Sequence, residues 1–161
     1  MSLVIDALRT SIIAEELTDT EMQILAKLFK VQDYKAGEVI VQPGDKHPDN
    51  LYILAHGEIQ VKIQGSEGEA AIYVLKPGDL AGVITFVGGA TSQHSATLYA
   101  KGDAKLLSLP RAKFETLIDS HPVIEYKVMR GIVRYVHGIV RSMNAKSAEL
   151  SSYIYRSSGG Y

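Results

Sequence analysis

The sequence contains no cysteine, which excludes disulfides, a thiol nucleophile, cysteine-ligated iron–sulfur clusters and the usual structural zinc site. It has no excess charge of either sign. Against 18 Asp+Glu stand 17 Lys+Arg, a formal net charge of −1, so nothing pulls the whole chain toward nucleic acid or an anionic membrane. No stretch approaches the ~20 apolar residues of a spanning helix. The opening Met1-Ser2-Leu3-Val4-Ile5-Asp6 also lacks the basic region and sustained apolar run of a signal peptide. A soluble, cytoplasmic chain with no membrane partner is expected. The five histidines are scattered, and no Ser/His/Asp grouping, local carboxylate pair or metal motif is spelled out. An enzyme is not expected, no metal site is expected, and the spacing of His47, His56 and His94 gives no support to haem ligation.

What the sequence does contain is a change of period. At 161 residues it is long enough for one domain with an appendage. Leu3, Val4, Ala7, Leu8, Ile12 and Ile13 predict a helix over 3–13 with one apolar face. Thr18-Asp19-Thr20-Glu21 has the form of a capping box, followed by Met22, Leu25, Ala26, Leu28 and Phe29 as a buried face. From Val31 the period becomes two, and strands are expected at 31–34, 38–41, 50–55, 58–64, 70–75, part of 83–87, 95–100 and 105–109. Pro43-Gly44-Asp45 and Pro77-Gly78-Asp79 repeat a type II turn signal, Gly37 and Gly57 mark further reversals, and residues 64–69 read as a solvated hairpin tip. About eight short strands with tight turns point to a sandwich or jelly roll.

After Pro110 the pattern turns helical again. Residues 111–120 form a short segment with Phe114, Leu117 and Ile118 inward, ended by His121-Pro122. Met129, Ile132, Val136, Ile139 and Met143 then alternate by three and four, continuing through Lys146, Leu150 and Tyr153. Such a seam needs another helix to bury it, and a homodimer through this C-terminal helix is expected. Lys127, Arg130, Arg134 and Arg141 fall opposite, as a solvated outer face. Gly131 and Gly138 each cost up to ~1 kcal/mol against Ala in a helix, and each permits close approach of another backbone or a ligand. The expected division is 1–30 N-terminal helices, 31–110 a β-roll, 111–156 the short and long C-terminal helices, and 157–161 a flexible tail.

Residues 77–100 are the one stretch that departs from strand alternation: a turn, a tight Gly, a short apolar run, a small-residue loop and a new strand. Together with Ala36-Gly37-Glu38-Val39-Ile40, Leu51-Tyr52-Ile53-Leu54, Gly57-Glu58-Ile59-Gln60-Val61 and Leu107-Ser108-Leu109, in that order, it resembles the cyclic-nucleotide-binding domain family. The likeness is to the effector domain of catabolite-activator-type regulators and covers roughly 18–145. It implies a mainly β fold with flanking helices, a double-stranded β-helix (jelly roll) of about eight strands. It also implies that 77–100 is the phosphate-binding cassette, with Gly82, Val83, Ile84, Thr85, His94, Ser95 and Ala96 as ligand-binding positions. The two residues that do the family's chemistry are absent. Where the family pattern carries a Glu for the ribose 2′-hydroxyl stands Val83, and where it carries an Arg for the cyclic phosphate stands His94, with Gln93 as its neighbour. Ile139 and Val140 fall where activator-like members present hydroxyl residues from the long helix to the purine. The cysteine cluster of some oxygen-sensing relatives cannot form here, and with too few residues left for a winged helix-turn-helix, direct DNA binding is not expected.

A buried monoanion needs paired positive charge or several donors. Histidine offers at most two donor bonds and only partial charge near neutrality, whereas Arg offers a planar, permanently charged fork. Backbone amides around Gly82 to Ile84, with Ser95 and Thr97, remain to help. The expected function is a stand-alone, non-enzymatic, dimeric regulatory module that senses a cyclic nucleotide weakly, or another small ligand, with no certain cofactor. The alternative is a degenerate module whose pocket is filled by its own side chains and which acts as a dimerisation or protein-docking scaffold.

Overall fold

The N-terminal apolar pattern does not form one helix. In the structure, a computed structural model that describes residues 2–42, 49–65, 68–88 and 96–158, α1 is Ser2–Arg9 and a separate 3-10 turn covers Ile12–Ala14. Two hydroxyls make the break. The Thr10 hydroxyl donates to the Ala7 carbonyl at 2.8 Å, closing α1, and Ser11 Oγ accepts from the Ile13 amide at 3.4 Å, opening the turn. Short hydroxyl side chains compete for backbone groups in this way. Helix α2, Asp19–Ala26, has the expected capping box: the Thr18 amide donates to Glu21 Oε1 at 2.9 Å and the Glu21 amide to Thr18 Oγ1 at 3.2 Å.

Eight strands follow among the described residues: β1 Lys30–Tyr34, β2 Val39–Val41, β3 Asn50–His56, β4 Ile59–Gly65, β5 Gly68–Leu75, β6 Leu80–Ala81, β7 Ala96–Ala100 and β8 Ala104–Pro110. They make two four-stranded antiparallel sheets, ordered β1-β8-β3-β6 and β2-β7-β4-β5, as the expected jelly roll requires. Between the sheets lie Val41, Tyr52, Leu54, Ile59, Leu98 and Leu106, among others. The other face of the first sheet carries Leu51, Ile53, Leu107 and Leu109, packed under the helices with Leu8, Leu25 and Phe29. Burial on both faces explains why β3 reads as an apolar run with no polar alternation.

Helix α3 is Val83–Phe86, where a strand was expected, and the strand before it is only Leu80–Ala81. Segment 111–120 splits at Thr116 into α4, Arg111–Glu115, and α5, Leu117–Ser120. Phe114 and Leu117 are buried, but Ile118 is 54% exposed instead of inward, because the change of helix changes the facing.

Pro122 opens α6, Pro122–Ser158, at the first position of a helix, where its missing N–H costs nothing. Ile124, Val128 and Ile132 are buried in the domain's own core, with Met129 and Tyr135 packed beside them. Ile132, at 3% exposure, is therefore a core residue and not part of an open seam, whereas Val136, Ile139 and Met143 are exposed. A Cβ at Gly131 would stand 2.7 Å from both the Ile12 carbonyl oxygen and Ile13 Cα, so this glycine seats the 3-10 turn against α6; at Gly138 there is open space.

The basic row does not all face solvent. Lys127 Nζ meets Glu21 Oε1 at 2.6 Å, Arg130 Nε meets Glu16 Oε2 at 3.0 Å, and Arg134 reaches Glu16 at 3.2 Å and Glu15 at 3.5 Å. These bonds strap the N-terminal segment to α6, while Arg141 is exposed. Among the described residues no helix is long and apolar enough to cross a membrane.

Candidate functional site

The cassette begins at a turn tied to β3. Gly78 takes φ 95°, its amide donates to the Leu54 carbonyl at 2.8 Å, and the Leu54 amide donates to the Asp79 carbonyl at 3.1 Å. Asp79 Oδ2 accepts from the Lys76 amide at 2.8 Å, closing the turn. Strand β6 then pairs with β3, Ala81 opposite Tyr52 and Leu80 opposite Ile53.

Gly82 ends the strand with φ 76° and ψ 17°, a left-handed conformation. A Cβ there would stand 2.5 Å from the Asn50 carbonyl oxygen and 3.3 Å from the Tyr52 ring, so backbone angle and space both demand glycine. That reversal turns Val83 to Phe86 into one helical turn, in which the Phe86 amide donates to the Gly82 carbonyl at 3.0 Å and the Thr85 hydroxyl donates to the same oxygen at 3.1 Å. Val83 packs on the core, Ile84 is exposed, and Phe86 is buried with its ring 5.2 Å from that of Phe114.

Arg111 holds the far end of this turn. Its Nη1 donates to the Thr85 carbonyl at 3.4 Å, and its Nη2 pairs with Asp49 Oδ2 at 2.7 Å. Its own amide donates to the Asp49 carbonyl at 2.8 Å. A cation at a helix C-terminus complements the carbonyls left free there. No local motif marks Arg111 in the sequence, since its partners lie on β3's approach and on α3.

Of the expected ligand positions, Gly82 caps α3, Val83, Ile84 and Thr85 stand together on it, and Ala96 opens β7 opposite Ile63 of β4. His94 and Ser95 lie outside the described residues, as do Gln93, His47, the Pro43-Gly44-Asp45 turn, the 66–67 tip and the end of the tail. Ile139 and Val140 are exposed on α6. The residue of α6 that does reach the cassette is Tyr135, which the periodicity gave no reason to single out: its hydroxyl donates to the Leu80 carbonyl at 3.0 Å. Burial, reinforced by the Asp79 carboxylate, pushes the Tyr135 hydroxyl up to about 12, so it remains a proton donor throughout the neutral range. Tyr73 on β5 is raised as well, by burial and by the same Asp79.

Clefts of about 360 Å³, along Arg9 to Ile12 and Glu15, and about 350 Å³, between Asp33, Tyr34, Glu38, His56 and Asp103, include no cassette residue. Among the described residues no three His, Asp or Glu side chains are placed to hold a metal ion.

The sequence profile described as "Cyclic nucleotide-binding domain" matches residues 31–121. The chain is similar to the lysophospholipase nte1 of Aspergillus terreus, at 30% identity over 116 residues, covering 71% of this chain and 7% of that protein. It is also similar to the HTH-type transcriptional regulator Cmr of Mycobacterium tuberculosis, at 26% identity over 116 residues, covering 72% of this chain and 46% of that one. The chain thus spans less than half the length of either curated relative. A solved cyclic nucleotide-binding domain from Methylobacillus flagellatus KT superposes with a TM-score of 0.78 at 17% identity, covering 88% of this chain and 83% of that one. At that identity the likeness is one of fold.

Proposed function

The chain belongs to the cyclic nucleotide-binding domain family, and on that basis we propose that it is a non-enzymatic regulatory domain, a dimeric small-molecule sensor whose cyclic nucleotide binding is weak or altered. The carrying observation is Val83. Gly82 takes the left-handed turn, so Val83 is the first residue of α3, and its side chain packs against the core. An isopropyl group there accepts nothing from a ribose hydroxyl. With His94 in place of the phosphate-pairing Arg, two strong polar interactions are weakened or lost. Each such loss costs about 1 to 3 kcal/mol, so affinity falls by several decades.

Transmission runs through Tyr135. A ligand beneath the cassette displaces or reinforces β6, and the Tyr135 bond to Leu80 carries that change to α6, the helix proposed to join two copies. No nucleic acid is invoked as partner, and a protein receiving the signal would read α6.

A second reading has its own support. The space between the sheets is occupied by Tyr52, Leu54, Leu98 and Leu106, all buried, which favours a self-filled roll serving as a docking scaffold. A thermal-shift titration with cyclic AMP, cyclic GMP and cyclic dinucleotides separates the two, because a ligand that binds only the folded state raises the melting temperature by mass action. A shift appearing only at millimolar cyclic AMP, or with another of these ligands, is the sensor's expected result. No shift with any of them favours the scaffold, and a saturable shift at micromolar cyclic AMP contradicts a weakened cassette.

A further inference from the structure

We infer that Asn50, on β3 and outside the cassette, supplies the hydrogen-bond acceptor that Val83 lacks, and that its Oδ1 receives the ribose 2′-hydroxyl of a nucleotide bound under the cassette. The inference rests on the sensor reading above and adds the residue that reads the sugar.

Buried polar side-chain atoms in folded proteins are nearly always paired, so an exception calls for a cause. Among the described residues two such atoms lack a hydrogen bond, Asn50 Oδ1 and Arg134 Nη2. The second still faces the Glu15 carboxylate at 3.5 Å, as an ion pair. Asn50 Oδ1 has no such counterpart. The other end of the same amide is in use: Nδ2 donates to the Tyr52 hydroxyl at 3.4 Å, which turns the oxygen away from the tyrosine. An amide oxygen only accepts, so the group that satisfies it carries an O–H or N–H.

Strand register places this acceptor at the cassette. Ala81 stands opposite Tyr52 and Leu80 opposite Ile53, so the same pairing carried forward sets position 83 opposite Asn50. Gly82 breaks the ladder first, and its left-handed turn sends Val83 into the cluster under the helices. Asn50 stays behind. Two residues before Tyr52, it shares the face of β3 that looks between the sheets, where Tyr52 is buried. Its backbone is held against α3 at both ends: a Cβ on Gly82 would stand 2.5 Å from the Asn50 carbonyl oxygen, and the adjoining Asp49 pairs with Arg111, which also holds the Thr85 carbonyl. The inner side of the cassette, which Val83 leaves without an acceptor, thus has one on the facing strand.

The exchange has a chemical consequence. Hydrogen bonds to a charged acceptor are roughly twice as strong as those to a neutral one, so an amide oxygen holds a sugar hydroxyl less firmly than a carboxylate does. Recognition of the sugar is kept while affinity falls, which is the behaviour expected of a weakened cassette.

The test compares cyclic AMP with its 2′-deoxy analogue, which lacks the donor. Both are titrated into the full chain and into Asn50→Leu and Asn50→Asp, and binding is followed by backbone amide NMR shifts, which read millimolar affinities and report whether each variant is folded. The natural chain is expected to bind cyclic AMP at least about fivefold more tightly than the deoxy analogue. Asn50→Leu should bind the two equally, and Asn50→Asp, which retains an acceptor, should keep the preference. Equal affinities in the natural chain overturn the inference without recourse to any variant. A preference that survives in Asn50→Leu, or is lost in Asn50→Asp, overturns it too, and each of these results leaves the sensor reading standing. Binding of neither nucleotide at millimolar concentration overturns both.

Discussion

The Tyr135 hydroxyl donates to the carbonyl of Leu80 at 3.0 Å, joining the long C-terminal helix to the strand that leads into the cassette. Leu80 itself pairs with Ile53 at the edge of the first sheet, with both side chains buried under the helices, so one side chain ties α6 to the element whose position a ligand would change.

Replacing Tyr135 by Phe removes this donor and leaves a partly buried carbonyl without it. The expected loss is about 1 kcal/mol in urea denaturation. The pH dependence has a definite sign. The folded-state pKa, about 12, lies above that of an unfolded tyrosine near 10, so the tyrosine's contribution is complete below about 10 and is lost as pH rises toward 12. Y135F should therefore flatten the alkaline limb of the stability profile; an unchanged limb would show that Tyr135 is not the group responsible.

Gly131→Ala and Gly138→Ala should move stability in opposite directions. At Gly131 a methyl meets the Ile12 and Ile13 backbone at 2.7 Å and forces the N-terminal strap off α6. At Gly138 it meets nothing, and the better helix propensity of Ala stabilises by up to about 1 kcal/mol. Denaturation midpoints of the two variants, compared side by side, check this.

Arg111→Gln should loosen α3 selectively. The substitution breaks the pair with Asp49 and weakens the hold on the Thr85 carbonyl, and because both charges are about a third exposed the global cost should stay near 1 kcal/mol or less. Hydrogen exchange at the amides of 83–88 should quicken by several-fold while strands β3 and β8 remain protected. Uniform acceleration across the roll would count against a local role.

The elements legible in the sequence were those whose cause is local. The capping box at Thr18 and Glu21, the reversal at Pro77-Gly78-Asp79 and the period-two strands each carry their own physical signal, and β1, β3, β4 and β8 fall within a residue or so of the expected bounds. Where two local signals competed, the sequence could not arbitrate. The apolar run from Val83 suits a strand or a buried turn of helix, and it is the positive φ of Gly82 that decides for α3. Ser11 breaks a helix that the apolar spacing alone would continue. What depends on partners distant in the chain was not legible at all. Lys127, Arg130 and Arg134 look like a solvated face until Glu21, Glu16 and Glu15 are folded against them, and neither Arg111 nor Tyr135 advertises the carbonyl it finds. The spacing of α6 gives a seam from Met129 to Met143 and cannot say that Ile132 within it is taken by the domain's own core.

The weakened cassette is tested most directly by restoring it. Cyclic AMP affinity is measured by calorimetry for the natural chain and for the double variant V83E/H94R, with melting temperatures of the ligand-free proteins confirming that both are folded. Two regained charge-assisted interactions of at least 1 kcal/mol each predict a variant that binds roughly thirtyfold more tightly or better. Equal affinities, with the natural chain already binding at micromolar concentration, would contradict the account.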